Sequence, residues 1–190
     1  MKLFYNPRSR ASIAKWLLDE FQVAYELVPI DFEKKEQKTS AFLAINPAGK
    51  LPALLDEGQK IFETVAIGLY LAEKYPEAGL APPLGSPERG RFLSLMVFAT
   101  SQLEPAMGDS LLKVETSVYR GWNDFANCEA LIAKEIGEGP YLFGEQFTVA
   151  DILIGSQFIW KRMFGAHDEH PVVRDYVNRL QERPHSVKMG

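Results

Sequence analysis

Cysteine is almost absent from this sequence, because Cys128 is the only one among 190 residues. A single thiol excludes a disulfide framework within the chain and any metal site built from cysteines alone. Long apolar runs are also lacking, so no segment reaches the length that crosses a membrane. The polar and proline break at Asn6-Pro7 comes too early for the core of a signal peptide. We therefore expect a cytoplasmic protein without a membrane partner.

An excess of positive charge is missing as well. The chain has 21 Lys and Arg against 25 Asp and Glu, a formal net charge of -4, and no basic run interleaved with aromatic residues. This balance provides no electrostatic footprint for a phosphate backbone, so we expect no nucleic-acid partner. A hydrophobic content of 46% and a charged content of 24% are typical of a globular protein with a sizeable core.

The first part of the sequence alternates strand and helix patterns. Strand patterns end at Tyr5 and cover residues 24–30, 51–55 and 60–62, and helical patterns follow Ser9, cover residues 40–45 and open at Thr64. A right-handed crossover makes the second strand parallel to the first, and the turn residues 56–59 join the last two into a hairpin. This order predicts a thioredoxin-like α/β domain over residues 1–76.

The second part of the sequence carries only helical spacing. Residues 77–86 are rich in Gly, Ala and Pro, which is typical of an ordered linker. Helical patterns then cover residues 92–112, 118–136, 149–164 and 172–180. We therefore predict an all-α domain, a helical bundle, over residues 87–190.

Four short motifs are distributed along nearly the whole chain. They are FYNPRSR at residues 4–10, NPAGKLP at 46–52, FETVAI at 62–67 and FTVADI at 147–152. Together these motifs resemble the glutathione S-transferase family, in serine-type rather than tyrosine-type form. The resemblance implies a homodimer that takes glutathione as co-substrate, uses no metal and acts in detoxification.

The resemblance also implies how glutathione is held. Pro52 resembles the family's cis-proline, which leaves the backbone N–H and C=O of Leu51 free to pair with the cysteinyl unit as an added strand. Thr64 caps a helix and would bind the γ-glutamyl carboxylate, while Glu63 would bind the ammonium group. Taken alone, these residues are also explained by an edge strand and an ordinary helix cap.

The glycyl end of glutathione requires a cation or an amide. Gln37, Lys38 and Lys50 lie in segments that the family uses for this purpose. Long polar side chains in loops are usually only solvated, so we treat these three residues as candidates.

The thiolate is the reactive form of glutathione, and a free thiol with a pKa of about 8.5 is mostly protonated at neutral pH. A hydroxyl at the start of the first helix would favour the anion. The resemblance makes Ser9 the first candidate for the catalytic hydroxyl, with Tyr5 as the competitor and Ser12 as a third possibility. The first loop lacks cysteine and Cys128 lies on a helical pattern, which argues against thiol–disulfide exchange.

An apolar pocket for the second substrate is expected between the first loop and the helix over residues 92–112. Met96, Leu103 and Met107 are its candidate lining residues, although such residues are more often ordinary core. The polar segment 167–170, His-Asp-Glu-His, is interpreted as a loop rather than a metal site, since it lacks partner ligands.

Thr148 and Asp151 form a capping-box pattern with a structural purpose, so loss of Asp151 should impair folding rather than chemistry. The resemblance as a whole predicts an enzyme that activates the thiol of bound glutathione for attack on a small apolar electrophile. Two alternatives remain: a non-catalytic glutathione-binding or regulatory protein, or a glutathione-dependent peroxidase, isomerase or dehalogenase.

Overall fold

The chain forms two units in this computed structural model, Met1–Ala78 and Gly79–Gly190. Residues 1–115, 117–166 and 170–187 are described. The first unit carries a four-stranded sheet with helices, and the second unit is helical. This architecture confirms the predicted class, a thioredoxin-like domain followed by helices. The predicted linker over 77–86 stays a prediction.

The sheet of the first unit has the strand order β2-β1-β3-β4. Its strands are β1 (Lys2–Tyr5), β2 (Glu26–Pro29), β3 (Ala53–Asp56) and β4 (Gln59–Phe62). β1 runs parallel to β2 and antiparallel to β3, and β3 runs antiparallel to β4. The predicted crossover and hairpin are therefore confirmed. The hairpin turn is shorter than predicted, because Asp56 already pairs with Gln59.

Helices cover the sheet of the first unit. They are α1 (Ala11–Glu20), α2 (Ser40–Leu43) and α3 (Thr64–Lys74), and a 3-10 turn, Glu36–Lys38, precedes α2. α1 contacts both β1 and α3. Successive residues of a strand point to opposite faces, so β1 buries Leu3 on one face and packs Phe4 on the other. Phe4 contacts Phe42 of α2 edge to face, with ring centroids 5.6 Å apart.

A buried carboxylate fastens α3 to the hairpin. Asp56 accepts hydrogen bonds from the hydroxyl of Tyr70 at 2.7 Å and from the ammonium of Lys74. Burial alone would raise the pKa of Asp56, but these two donors outweigh it and hold the pKa below its ordinary value. The carboxylate therefore stays charged and keeps α3 attached to the end of β3.

The first helix of the second unit is interrupted by a π-helical segment. The elements of this unit are α4 (Arg89–Phe98), a π-helical segment (Ala99–Leu103), α5 (Glu104–Leu112), α6 (Phe125–Ile136), α7 (Val149–Met163) and α8 (Pro171–Glu182). Pro105 follows the π segment and has no N–H to donate to the carbonyl four residues earlier. The wider turn accommodates this missing donor without ending the helix.

The helix predicted over 118–136 begins later than predicted, at Phe125. Asp124 adopts an extended conformation and its carboxylate accepts a hydrogen bond from the N–H of Asn127 at 2.8 Å, which caps α6. Trp122 donates from Nε1 to Asp109 at 3.0 Å, and Arg120 lies 3.4 Å from the same carboxylate. These side chains attach the loop before α6 to α5. The helical spacing predicted for residues 118–124 is therefore wrong, because the side chains of this segment contact α5 instead of forming one face of a helix.

The capping box predicted at the start of α7 is present. The carboxylate of Asp151 accepts from the N–H of Thr148 at 2.8 Å, from the N–H of Leu142 at 2.9 Å and from the hydroxyl of Tyr176 at 3.1 Å. Asp151 is fully buried, and every residue of α7 from Val149 to Arg162 is buried with it. One carboxylate thus joins the loop before α7, the start of α7 and α8.

Replacement of Asp151 by alanine should lower the free energy of unfolding by about 3 kcal/mol or more, because it leaves several buried donors without an acceptor. Chemical denaturation measures this change. A variant with normal stability but lost turnover would contradict the structural assignment.

The pH dependence of the same group gives a matched test. Burial raises the pKa of Asp151 to about 6, against about 3.9 in an unfolded chain. The folded protein therefore binds this proton more tightly, and the group favours folding most below about pH 4 and loses that contribution as the pH rises through about 6. Asp151→Asn does not titrate, so it should gain stability relative to wild type over that interval. A stability difference that stays constant with pH would refute this sign.

Gly155 lies where α7 and α8 approach closely. A Cβ atom at Gly155 would collide with Cδ1 of Leu180 and lie 3.8 Å from Cε1 of Tyr176. Gly155→Ala should therefore destabilise the protein by about 1–3 kcal/mol through overpacking. Gly108→Ala on α5 is the control, because no atom lies within 4 Å of its added Cβ, and it should leave stability unchanged or raise it by about 0.5–1 kcal/mol. Equal effects of the two substitutions on thermal unfolding would rule out the packing argument.

Candidate functional site

Three strand ends lie side by side at one end of the sheet. Phe4 pairs with Ala53, and Ala53 also pairs with Phe62. The end of β1, the start of β3 and the end of β4 are therefore neighbours. Consequently, the loop after β1, the loop before β3 and the turn into α3 all leave the sheet at this end, where the predicted site residues are concentrated.

A cleft of about 350 Å³ lies between the loop after β1 and the loop before β3. Its lining residues are Ser9, Arg10, Phe32, Gln37, Lys38, Gly49, Lys50 and Leu51. Five of them belong to the predicted site: Ser9, Gln37, Lys38, Lys50 and Leu51. The lining includes cationic side chains and no carboxylate among the described residues, so its charge favours an anionic ligand.

Ser9 presents a half-buried hydroxyl to this cleft. The hydroxyl donates to the backbone carbonyl of Asn6 at 2.7 Å, and its oxygen accepts from the N–H of Ala11 at 3.2 Å. The Ser9 oxygen thus accepts from one N–H at the start of α1, while its hydroxyl proton is bonded to the carbonyl of Asn6 in the same loop. A ligand thiolate would receive this proton only after the hydroxyl turned away from Asn6.

The two other hydroxyl candidates have different surroundings. Tyr5 is half-buried, packs against the cluster that includes Ala11 and Phe42, and does not line the cleft. Ser12 donates its hydroxyl proton to the carbonyl of Ser9 at 2.9 Å and also does not line the cleft. Ser9 is therefore the one of these three candidate hydroxyls that lines the cleft.

Leu51 precedes β3 and offers its backbone to the cleft. The Leu51-Pro52 peptide bond is cis, as the family resemblance implied. Within the described residues, neither the N–H nor the C=O of Leu51 has a hydrogen-bond partner. Leu51 is itself a buried residue next to Ala53 of the sheet. A peptide-like ligand could therefore extend the hydrogen bonding of the sheet at this position.

Glu63 and Thr64 form the turn from β4 into α3. Glu63 has φ 71° and ψ 129°, a conformation that non-glycine residues adopt at a cost of about 1–3 kcal/mol. Thr64 is 8% exposed, and its hydroxyl makes no hydrogen bond within the described part of the chain. The prediction that Thr64 caps the helix was therefore wrong, because Glu63 takes the N-cap position and Thr64 is the first residue of α3. The first backbone hydrogen bond of the turn is donated by Ile67 to Glu63, so the earlier N–H groups remain available for an anion.

Lys38 takes a more specific position than its sequence context suggested. Its Nζ lies 3.4 Å from the carbonyl of Ala48, and it would lie 2.7 Å from a Cβ atom at Gly49. Gly49 has φ 63°, which favours glycine there, and a Cβ atom would also lie 3.0 Å from the backbone carbonyl of Gln37 and would displace the ammonium of Lys38. Beside it, Oε1 of Gln37 is buried without a partner among the described residues. Lys50 extends into solvent at the same cleft.

The candidate lining residues of the second substrate pocket are interior residues. Met96 and Leu103 are 0% exposed and Met107 is 2% exposed. They pack in the helical unit, and their contact with an electrophile stays a prediction that this burial does not favour.

Among the described residues, no group of three His, Cys, Asp or Glu residues is placed to hold a metal ion. His167, Asp168 and Glu169 of the polar segment lie outside the described residues. No helix in residues 1–115, 117–166 or 170–187 is long and apolar enough to cross a membrane.

Some cleft residues were not predicted from the sequence. Phe32 and Gly49 line the cleft because the loops fold back on each other, and no spacing rule indicated Phe32. The Asn6-Pro7 pair is a recognised turn signal, but the sequence did not indicate a role for the side chain of Asn6. Its side chain makes two hydrogen bonds that shape the Ser9 loop.

Comparison with known proteins gives consistent results. The model of the glutathione S-transferase N-terminal domain matches residues 1–73. Glutathione S-transferase F14 of Arabidopsis thaliana is 30% identical over 154 residues, which cover 74% of this chain and 61% of that protein, less than two thirds of its length. Disulfide-bond oxidoreductase YfcG of Escherichia coli (strain K12) is 26% identical over 197 residues, 96% of this chain and 90% of that protein.

A solved structure extends the similarity to nearly the whole chain. The sphingomonad glutathione S-transferase complexed with glutathione is 32% identical, with a TM-score of 0.78, over 97% of this chain and 94% of that one. The sheet unit with its cleft and the helical unit after it define the two-part transferase architecture. The chain belongs to the glutathione S-transferase family.

Proposed function

We propose that this protein binds glutathione in the cleft and lowers the pKa of its thiol for attack on a small electrophile. The observation that supports this proposal is the meeting of Ser9, the unpaired backbone of Leu51 and two lysines in one cleft. The sphingomonad relative is described as complexed with glutathione, which is consistent with a tripeptide ligand here.

The proposed binding mode uses each part of the tripeptide. The cysteinyl unit pairs with the N–H and C=O of Leu51 as an added strand. The γ-glutamyl carboxylate binds at Thr64, and the ammonium binds the carboxylate of Glu63. The glycyl carboxylate binds Lys38, supported by Gln37 and Lys50. Lys38 is preferred because its ammonium lies against the turn at Gly49, 3.4 Å from the carbonyl of Ala48.

Thiol activation requires that the protein favour the anion. Lowering a pKa by about two units requires about 2.7 kcal/mol. A hydrogen bond to a charged group contributes about 1.5–3 kcal/mol, and a helix N-terminus adds about 0.3–1 kcal/mol. Ser9 at the start of α1 offers both, and it lines the cleft whereas Tyr5 does not. We therefore assign the activating hydroxyl to Ser9.

The electrophile, the assembly and the location follow from the family resemblance. We propose an apolar electrophile near Met96, Leu103 and Met107, a homodimer and a cytoplasmic location from family resemblance. Glutathione-dependent peroxidase, isomerase and dehalogenase chemistry would use the same thiolate.

A second candidate function is glutathione-dependent disulfide reduction, which the name of the Escherichia coli relative suggests. In such chemistry the sulfur would have to come from glutathione itself. Cys128 is buried, and burial raises the pKa of its thiol to about 11, which leaves it protonated at neutral pH. The two functions therefore share the cleft and differ in the acceptor.

Ser9→Ala should reduce turnover of a chromogenic electrophile by about 25-fold at pH 7, since the pKa of bound glutathione would return from about 6.5 to about 8.5 and less thiolate would form. Steady-state kinetics and the ultraviolet absorbance of the bound thiolate measure the two effects. Tyr5→Phe is the matched control, because it also removes one hydroxyl, and it should change turnover by less than about twofold.

The opposite ranking of these two variants would move the activating hydroxyl to Tyr5. Binding of glutathione without turnover of any electrophile or disulfide would indicate a non-catalytic binder. Absence of binding by calorimetry would reject the proposed function as a whole.

Gly49→Ala should weaken glutathione binding by about tenfold, because the new Cβ displaces the ammonium of Lys38 and strains the turn. Gly58→Ala is the control. It has the same kind of backbone, with φ 85°, but no atom lies within 4 Å of the added Cβ. Calorimetric titration should show weakened binding only for Gly49→Ala. Equal losses in both variants would attribute the effect to backbone strain and exclude Lys38.

A further inference from the structure

The side chain of Asn6 makes two hydrogen bonds that hold the loop carrying Ser9. β1 ends at Tyr5, and the N–H of Ile30 extends its pairing with β2 by donating to the carbonyl of Tyr5 at 2.8 Å. Nδ2 of Asn6 then donates to the carbonyl of Ile30 at 2.8 Å. The side-chain amide of Asn6 thus adds one hydrogen bond to the pairing of β1 with β2, after the last one that the backbone makes.

The same side chain shapes the turn after β1. Oδ1 of Asn6 accepts from the N–H of Arg8 at 3.0 Å, which is the hydrogen bond of an Asx turn. Pro7 lies between them with its backbone angle φ restricted by its ring. The turn therefore has little freedom, and its geometry directs the carbonyl of Asn6 toward Ser9.

That carbonyl competes with the ligand for the proton of Ser9. The hydroxyl has one proton, and it donates that proton to Asn6 at 2.7 Å. A hydrogen bond to an ionised acceptor is roughly twice as strong as one between neutral groups. A thiolate would therefore attract the proton away from the carbonyl, whereas a neutral thiol would not.

We propose that Asn6 is a positioning residue whose side chain fixes the loop so that the Ser9 hydroxyl stays at the cleft, where it can turn from the Asn6 carbonyl to the thiolate form of the ligand. This inference rests on the proposed function, because it specifies how Ser9 distinguishes the two ionisation states of glutathione. Asn6 does not line the cleft, so it acts through the Ser9 loop and not on the ligand.

Asn6→Ala tests the proposal through the thiol pKa. The pKa of bound glutathione should rise by about one unit, from about 6.5 to about 7.5, which lowers the thiolate fraction about threefold at pH 7. kcat should fall by a similar factor, and the Kd for glutathione measured at pH 5, where the thiol is protonated whether free or bound, should change by less than about twofold. An unchanged thiol pKa, or a loss confined to Kd, would overturn the inference.

A double-mutant cycle separates positioning from general damage to the fold. If Asn6 acts through the hydroxyl, Asn6→Ala should leave the thiol pKa of the Ser9→Ala variant unchanged. Additive effects of the two substitutions would refute the coupling. Asn6→Asp keeps an acceptor for Arg8 and loses the donor to Ile30, so it provides a second variant if Asn6→Ala does not fold, and its thiol pKa should lie above that of wild type.

Asn46 offers a matched control on the other side of the cleft. Its Nδ2 donates to the carbonyl of Lys50 at 2.8 Å, and its Oδ1 accepts from the N–H of Ala48 at 3.0 Å. Asn46→Ala removes the same pair of hydrogen bonds from the loop that binds the ligand, so it should weaken glutathione binding and leave the thiol pKa of the bound fraction unchanged. A raised thiol pKa in this variant would count against a specific effect of Asn6.

Measurements on the wild-type protein separate failure of the proposed function from failure of the inference about Asn6. If it binds no glutathione or forms no thiolate, both the proposed function and this inference fail. If it forms the thiolate and Asn6→Ala forms it with the same pKa, only the inference fails.

Discussion

The position of β3 between β1 and β4 is the constraint on which the site depends. Because Ala53 pairs with both Phe4 and Phe62, three chain segments far apart in sequence leave the sheet at one end. Each segment brings a different chemical group: a hydroxyl, a pair of backbone groups and a helix start. A shift of one residue in this register would turn the alternating side chains of β3 to the opposite face and separate the three groups.

The cleft is built from loops, but two buried or half-buried amides limit their freedom. Asn6 holds the loop after β1, and Asn46, which is 1% exposed, holds the loop before β3. Each amide donates to a backbone carbonyl and accepts from a backbone N–H two residues along the chain. Irregular segments thereby gain the order that a ligand site requires, without strands or helices of their own.

The sequence was informative wherever a local pattern determines the structure. The strand order, the hairpin and the capping box at Thr148 and Asp151 were predicted because each depends on spacing over a few residues. The start of α6 was missed because Trp122 and Arg120 are used by Asp109, a contact between distant residues that no periodicity shows. For the same reason, sequence reasoning could name Ser9 and Leu51 as candidates but could not show the hydrogen bonds by which Asn6 joins the Ser9 loop to Ile30.

The burial of Cys128 has a consequence for the conditions in which the protein operates. A protein that binds glutathione, as proposed for this one, also meets the disulfide form of glutathione, and an accessible thiolate of its own would be captured as a mixed disulfide. Here the single sulfhydryl is enclosed in the helical unit and held in its protonated form. The protein should therefore remain unmodified while the ratio of oxidised to reduced tripeptide around it varies.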